Sequence, residues 1–208
     1  MIESTFSFII LILSVVIHEV AHGLAALHYG DTTARDTGRL TLNPIRHIDI
    51  MGSIVLPAVL IITNAPFMIG WAKPVPYNEN NLSDRKWGTI AVASAGIITN
   101  FIVAIIFGIF IRIGMHYGLM TVSLDDPLFF VTRTIVLINI VLGLFNLVPI
   151  PPLDGSKILF AFLPAKHSHI QEFFEKYSFV FFIVFVFFLW SFLTPAIGFL
   201  FTLMTGVS

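Results

Sequence analysis

Five stretches of this 208-residue chain are apolar over a length that crosses, or nearly crosses, a lipid bilayer: about 4–29, 51–72, 88–115, 128–149 and 178–205. A helical span needs roughly 20 apolar residues, because each backbone N–H and C=O must find its partner inside the segment. The residue types agree, with 57% hydrophobic, 11% charged and 22 Phe; a soluble domain carries about 25% charged residues. A core of this size cannot hide so much apolar surface. The expected fold is therefore all-α and polytopic, a single membrane-embedded domain over 1–208 with about five to six membrane segments. A shorter apolar piece, Ile158 to Leu163, lies between Gly155 and Pro164. The first run lacks a basic leader, Glu3 being its one charge before His18, and is read as a retained helix.

A net charge of −1 gives no general attraction to nucleic acid, which is not an expected partner, while membrane lipid is. Cysteine is absent, which removes disulfides, thiolate ligands and thiol nucleophiles together. Basic residues set the orientation. Arg35, Arg39, Arg46, Lys73, Arg85 and Lys86 fall within 30–87, and Lys157, Lys166 and Lys176 within 150–177, whereas 116–127 has none and carries Asp125 and Asp126. The two basic segments are placed on the cytosolic face and the N-terminus outside. For both 30–50 and 73–87 to share that face, 51–72, with Pro57, Asn64 and Pro66, must re-enter or lie in the interface.

The polar stretch 31–52 contains "GRLTLNP", whose alternation predicts a short strand or hairpin before Asn43-Pro44, or else a plain interfacial loop. A second polar stretch, 71–88, carries Pro74 and Pro76, which keep its backbone out of a helix.

Within the first apolar run, "VVIHEVAHGLAALHYG" (15–30) places three ionisable residues at lipid depth. Such groups are costly there unless they face the protein interior and share the cost. His18 and His22 are four apart, hence on one helical face, where two imidazoles can bind one metal. Glu19 beside them can reach a metal-bound water as general base. In a chain without cysteine, zinc suits this H-E-x-x-H pattern best. A third ligand is needed. His28 sits ten residues after His18, but Ala25 stands where a turn-making Gly would bring it back, so a helix-end role suits it better. Glu79, in a polar loop, is a weaker candidate. Asp154 in "NLVPIPPLDG" (146–155) follows a proline-broken span that ends on the same face, and Gly155 frees the backbone to present it. Its alternative is an N-cap of the next helix.

"HEVAH" followed far downstream by "NLVPIPPLDG", with "YGDTTARDTGRLTLNP", "HIDIMGSIVLP" and "WAKPVPYN" between them, resembles the site-2 protease group of intramembrane zinc metalloproteases, peptidase family M50, in its compact bacterial branch. The resemblance covers most of 15–160. It implies one zinc held by His18, His22 and Asp154, Glu19 as base, and a catalytic core of the spans around 4–29, 88–115 and 128–149. It further implies a prokaryotic plasma membrane and a transmembrane protein as substrate, while the charge-set orientation puts the active site toward the cytosol. Asn146 matches a family Asn thought to hold substrate or the developing oxyanion. In "AGIITN" (95–100), Ile97 stands where the family commonly has Pro; Asn100 is retained, as a catalytic group or an interhelical hydrogen bond.

The expected activity is hydrolysis of peptide bonds within or near transmembrane helices. The rival reading is a non-proteolytic membrane protein that binds or transports metal, against which stands the scarcity of ionisable residues in the outer halves of the spans. The Phe-rich run 178–205 reads by default as a lipid-facing anchor.

Overall fold

The computed structural model describes residues 2–63, 72–164 and 168–207. Its α-helices run α1 Ile2–His28, α2 Thr33–Asp36, α3 Leu56–Ile62, α4 Arg85–His116, α5 Pro127–Leu147, α6 Asp154–Ala161, α7 Ser168–Lys176, α8 Ser178–Val184 and α9 Thr194–Thr205. Among the described residues there is no strand.

Three helical segments are long and apolar enough to cross a membrane: Thr5–His28, Arg85–His116 and Pro127–Leu147. A C-terminal pair, Ser178–Phe188 and Trp190–Thr205, makes a fourth if its 55° bend is a break within one span. The protein is thus an integral membrane protein with three or four spans among the described residues, against an expectation of five to six segments. The difference lies in the short pieces. Ile50–Val55 winds as a π-helix into α3, and α6 has 8 residues, too few to cross. The return expected after 51–62 falls at 64–71, outside the described residues.

Side-chain chemistry fixes the helix ends. Asp84 caps α4 by accepting from the Trp87 N–H (2.9 Å), and Asp126 caps α5 through Leu128 and Phe129, with Pro127 at the first helical position. α1 stops where Gly30 turns at φ +99°. There the Asp31 N–H returns to the Ala26 carbonyl and the Gly30 N–H to that of Leu27, a Schellman closure.

α4 is the central helix and touches α1, α5, α6 and α9. Its buried face is largely small (Ala93, Gly96, Ala104, Gly108 and Gly114), which lets neighbouring backbones approach where lipid gives no hydrophobic drive. An apolar core of Ala104, Ile111, Phe129, Val136 and Ile140 joins α4 to α5. On α4, Arg112 donates to the carbonyls of Leu203 and Met204 (2.6 and 2.9 Å) and secures the end of α9.

The expected hairpin is absent. Over 38–43 the chain has no helix or strand, a 3-10 turn follows at Pro44–His47, and local bonds take up backbone donors that a ladder would use: Asn43 N–H to Thr41 Oγ1 and Ile45 N–H to Asn43 Oδ1. Nor is the Phe-rich segment all lipid-facing. Phe185 is buried, and with Phe182 and Trp190 it closes around Phe145 of α5 at 5.6–6.0 Å, while Phe179, Phe187 and Phe188 are exposed.

Candidate active site

His18 and His22 project from α1 toward α4, and Asp154 opens α6 at the same place. Nε2 of His18 lies 3.1 Å from Asp154 Oδ2, Nε2 of His22 is 3.1 Å from the same oxygen, and the two nitrogens are 3.0 Å apart. All three residues are buried.

Glycines make room for this convergence. A Cβ on Gly96 of α4 would sit 2.6 Å from the His18 ring, and one on Gly155 would lie 2.2 Å from the Leu147 carbonyl. Gly96 therefore lets α1 press its imidazole onto the α4 backbone. Gly155 lets α6 fold back against the end of α5, which aims Asp154 at the histidines.

The tautomers follow from the surroundings. His22 Nδ1 faces the Val92 carbonyl at 2.6 Å, a pure acceptor, so Nδ1 carries the hydrogen. For His18 the argument runs through two amides. Asn139 Nδ2 donates to the Ile135 carbonyl and to Ser14 Oγ (both 2.9 Å). Its Oδ1 then accepts from Asn100 Nδ2 (2.8 Å), which leaves Asn100 Oδ1 to receive the Nδ1–H of His18. As neutral imidazoles, the two rings therefore present their Nε2 lone pairs to each other and to a carboxylate oxygen. Three acceptors at contact distance repel one another unless a cation lies among them, and two imidazoles with a carboxylate suit zinc.

Glu19, half-buried, does not join this cluster; its Oε2 accepts the Val75 backbone N–H (2.8 Å). Lys157 donates to the other Asp154 oxygen (3.3 Å) and lies over the Tyr77 ring. Burial, with Glu79 and Asp154 nearby, pushes the Tyr77 hydroxyl above the ordinary tyrosine range. Asn146 stands apart: its amide donates to Leu142 in its own helix (3.0 Å) and bonds to none of His18, Glu19, His22 or Asp154. His28 is exposed at the helix end, and Glu79 bonds Tyr77 and Arg85, so neither approaches the cluster. A cavity of about 690 Å³ opens beside α6, lined by Arg85, Lys86, Thr89, Pro152, Ser156 and Lys157 among others.

Sequence reasoning missed Ser14, Asn139, Lys157 and the Val75 N–H. Ser14 lies one turn before His18 on the same face, and Asn139 is an uncompensated amide inside a span; both were readable as polar groups needing a partner.

Comparison with known proteins identifies the family. The model of the family described as peptidase family M50 matches residues 113–189, which hold Asp154 but not the histidine pair. YwhC of Bacillus subtilis (strain 168) is 39% identical over 178 residues, covering 85% of this chain and 77% of its own. MJ0392 of Methanocaldococcus jannaschii is 27% identical over 79% of this chain and 36% of its own. Rip2 of Mycolicibacterium smegmatis is 28% identical over 69% of this chain and 52% of its own. All three carry zinc metalloprotease in their names. No solved structure matches the chain.

Proposed function

Because the chain belongs to peptidase family M50 and is a zinc metalloprotease, we propose that it cuts peptide bonds within or beside the transmembrane helices of membrane-protein substrates. The observation that carries this reading is the site's depth. His18, Glu19 and His22 lie inside a membrane-length helix, with Asp154 brought to them by α6.

We assign the zinc to His18, His22 and Asp154, one ion per chain. Zinc held there supplies Lewis acidity toward the peptide carbonyl and lowers the pKa of water. Glu19 takes the proton as water attacks the carbonyl carbon and gives it to the leaving amine when the C–N bond breaks. Asn146 has a second amide hydrogen, which we assign to the oxygen of the tetrahedral species. Asn100 and Asn139 hold the His18 ring, and the Val92 carbonyl holds that of His22. A substrate helix must unwind locally to expose its carbonyl, so weak helix formers near the cut favour cleavage. Likeness to the bacterial relative supports a prokaryotic plasma membrane, and charge asymmetry supports the N-terminus outside and the site toward the cytosol, all within one membrane-embedded domain.

The test compares wild type with Glu19→Gln on a single-span substrate in liposomes with zinc supplied. Cleavage within the span by wild type alone is expected. Cleavage by both variants removes Glu19 from the mechanism. Failure of both, with zinc carried across the vesicle wall, favours the metal-transport reading.

A further inference from the structure

Residues 73–78 cross the face of the helix that carries Glu19, tied at both ends. The Lys73 N–H donates to the His47 carbonyl (2.8 Å), and the Asn78 N–H to Asp31 Oδ2 (2.7 Å). Between these anchors the sequence reads Pro74-Val75-Pro76, so Val75 is the one residue of the three with an N–H to give. That N–H goes to Glu19 Oε2 at 2.8 Å. The Val75 side chain is 5% exposed, and a Cβ on Gly23, one residue past His22, would come within 2.8 Å of it. The close approach requires glycine there.

We propose that the Val75 N–H is a positioning group for hydrolysis, held over α1 by this proline-braced strap so that Glu19 meets the reacting water in one orientation. The inference rests on the metalloprotease reading above. Two prolines fix φ on either side and disfavour helix for the residues before them, Lys73 and Val75, so the strap is rigid before substrate arrives. With Oε2 engaged by the strap, Oε1 is left to accept from water. A Glu side chain has three free torsions, and misplacing a general base by about 1 Å costs on the order of 100-fold in rate. The strap is no removable plug. Two anchors, buried Val75 and the fit to Gly23 make it part of the wall of the site.

Two experiments on the full chain in detergent test this. In zinc-free protein, hydrogen exchange resolved at the Val75 amide by NMR reports the bond directly, and its neighbours Pro74 and Pro76 contribute no amide of their own. Glu19→Ala should speed exchange of the Val75 amide about tenfold, and unchanged exchange overturns the proposal. In zinc-loaded protein, Val75→Pro removes the N–H, whereas Val75→Ala keeps it and removes the packing. Val75→Pro is expected to lower kcat by roughly 10- to 100-fold, as loss of an outer-shell partner typically does, with KM and zinc content held. Val75→Ala, which keeps the N–H and thins only the packing, should lose several-fold less than Val75→Pro. Equal losses in the two variants mean a packing role only, and a gain in Val75→Pro means the strap obstructs the site; either overturns the proposal. If Val75→Pro fails to hold zinc, the exchange result decides. If wild type cleaves nothing, the metalloprotease reading fails while the exchange measurement still judges the contact.

Discussion

The His18 imidazole is bonded through Nδ1 to Asn100, 82 residues away on α4, and Asn100 is in turn held by Asn139 on α5. His22 binds Val92 on the same helix. As the residue number rises on α1 it falls on α4, so the helices are antiparallel and α4 bonds both rings.

Asn100→Ala should weaken zinc binding about 10- to 100-fold by freeing the His18 ring. Asn139→Ala should act in the same direction but less, since Asn100 keeps its bond to His18. Competition against a chromogenic chelator measures both, and a variant order in which Asn139 matters more would mean that it acts by another route.

Asp154→Ala should lose zinc, whereas Glu19→Gln should keep it and lose cleavage. The split separates a ligand from a base and is read from metal content alongside turnover. Full occupancy in the Asp154 variant would remove that residue from the site.

Gly96→Ala puts a methyl 2.6 Å from the His18 ring. α1 and α4 must separate, so thermal unfolding in detergent should show a loss of about 1–3 kcal/mol, together with weaker zinc binding. An unperturbed zinc affinity would show that the ring can shift without leaving its ligand position.

Asp31 predicts a pH dependence away from the membrane core. Burial pushes its carboxyl up, but donors from Thr33, Asn81 and Asn78 outweigh burial and hold it below the usual carboxylate range. The folded pKa is therefore lower than the unfolded value of about 3.9. The stabilisation is complete above that value and is lost as the pH falls through the folded pKa. Asp31→Asn should cost about 1.5–3 kcal/mol at pH 7, and the gap from wild type should shrink only below about pH 4. A gap that narrows between pH 8 and 6 would assign it to another group.

How far the sequence reached depends on the range of the interaction. The His18–His22 pair follows from helical periodicity alone, and Asp154 could be found because prolines end its span on the same face. The amide relay was not legible, because nothing near Asn139 says that Asn100 lies opposite. The strand expected at "GRLTLNP" failed for a related reason. Alternation marks residues able to pair, but Thr41 and Asn43 had nearer partners. The Phe-rich run hid its break, since a bent pair and a straight span have the same composition.

The separation of 136 residues between His18 and Asp154 has a consequence for biosynthesis. The first helix leaves the ribosome early, carrying two histidines and a carboxylate into the bilayer, and its last partner is made only after two more long helices have been threaded. Until then the cluster lacks its third corner. If His18, His22 and Asp154 hold the metal as proposed, the site can close around it only once α6 has been made.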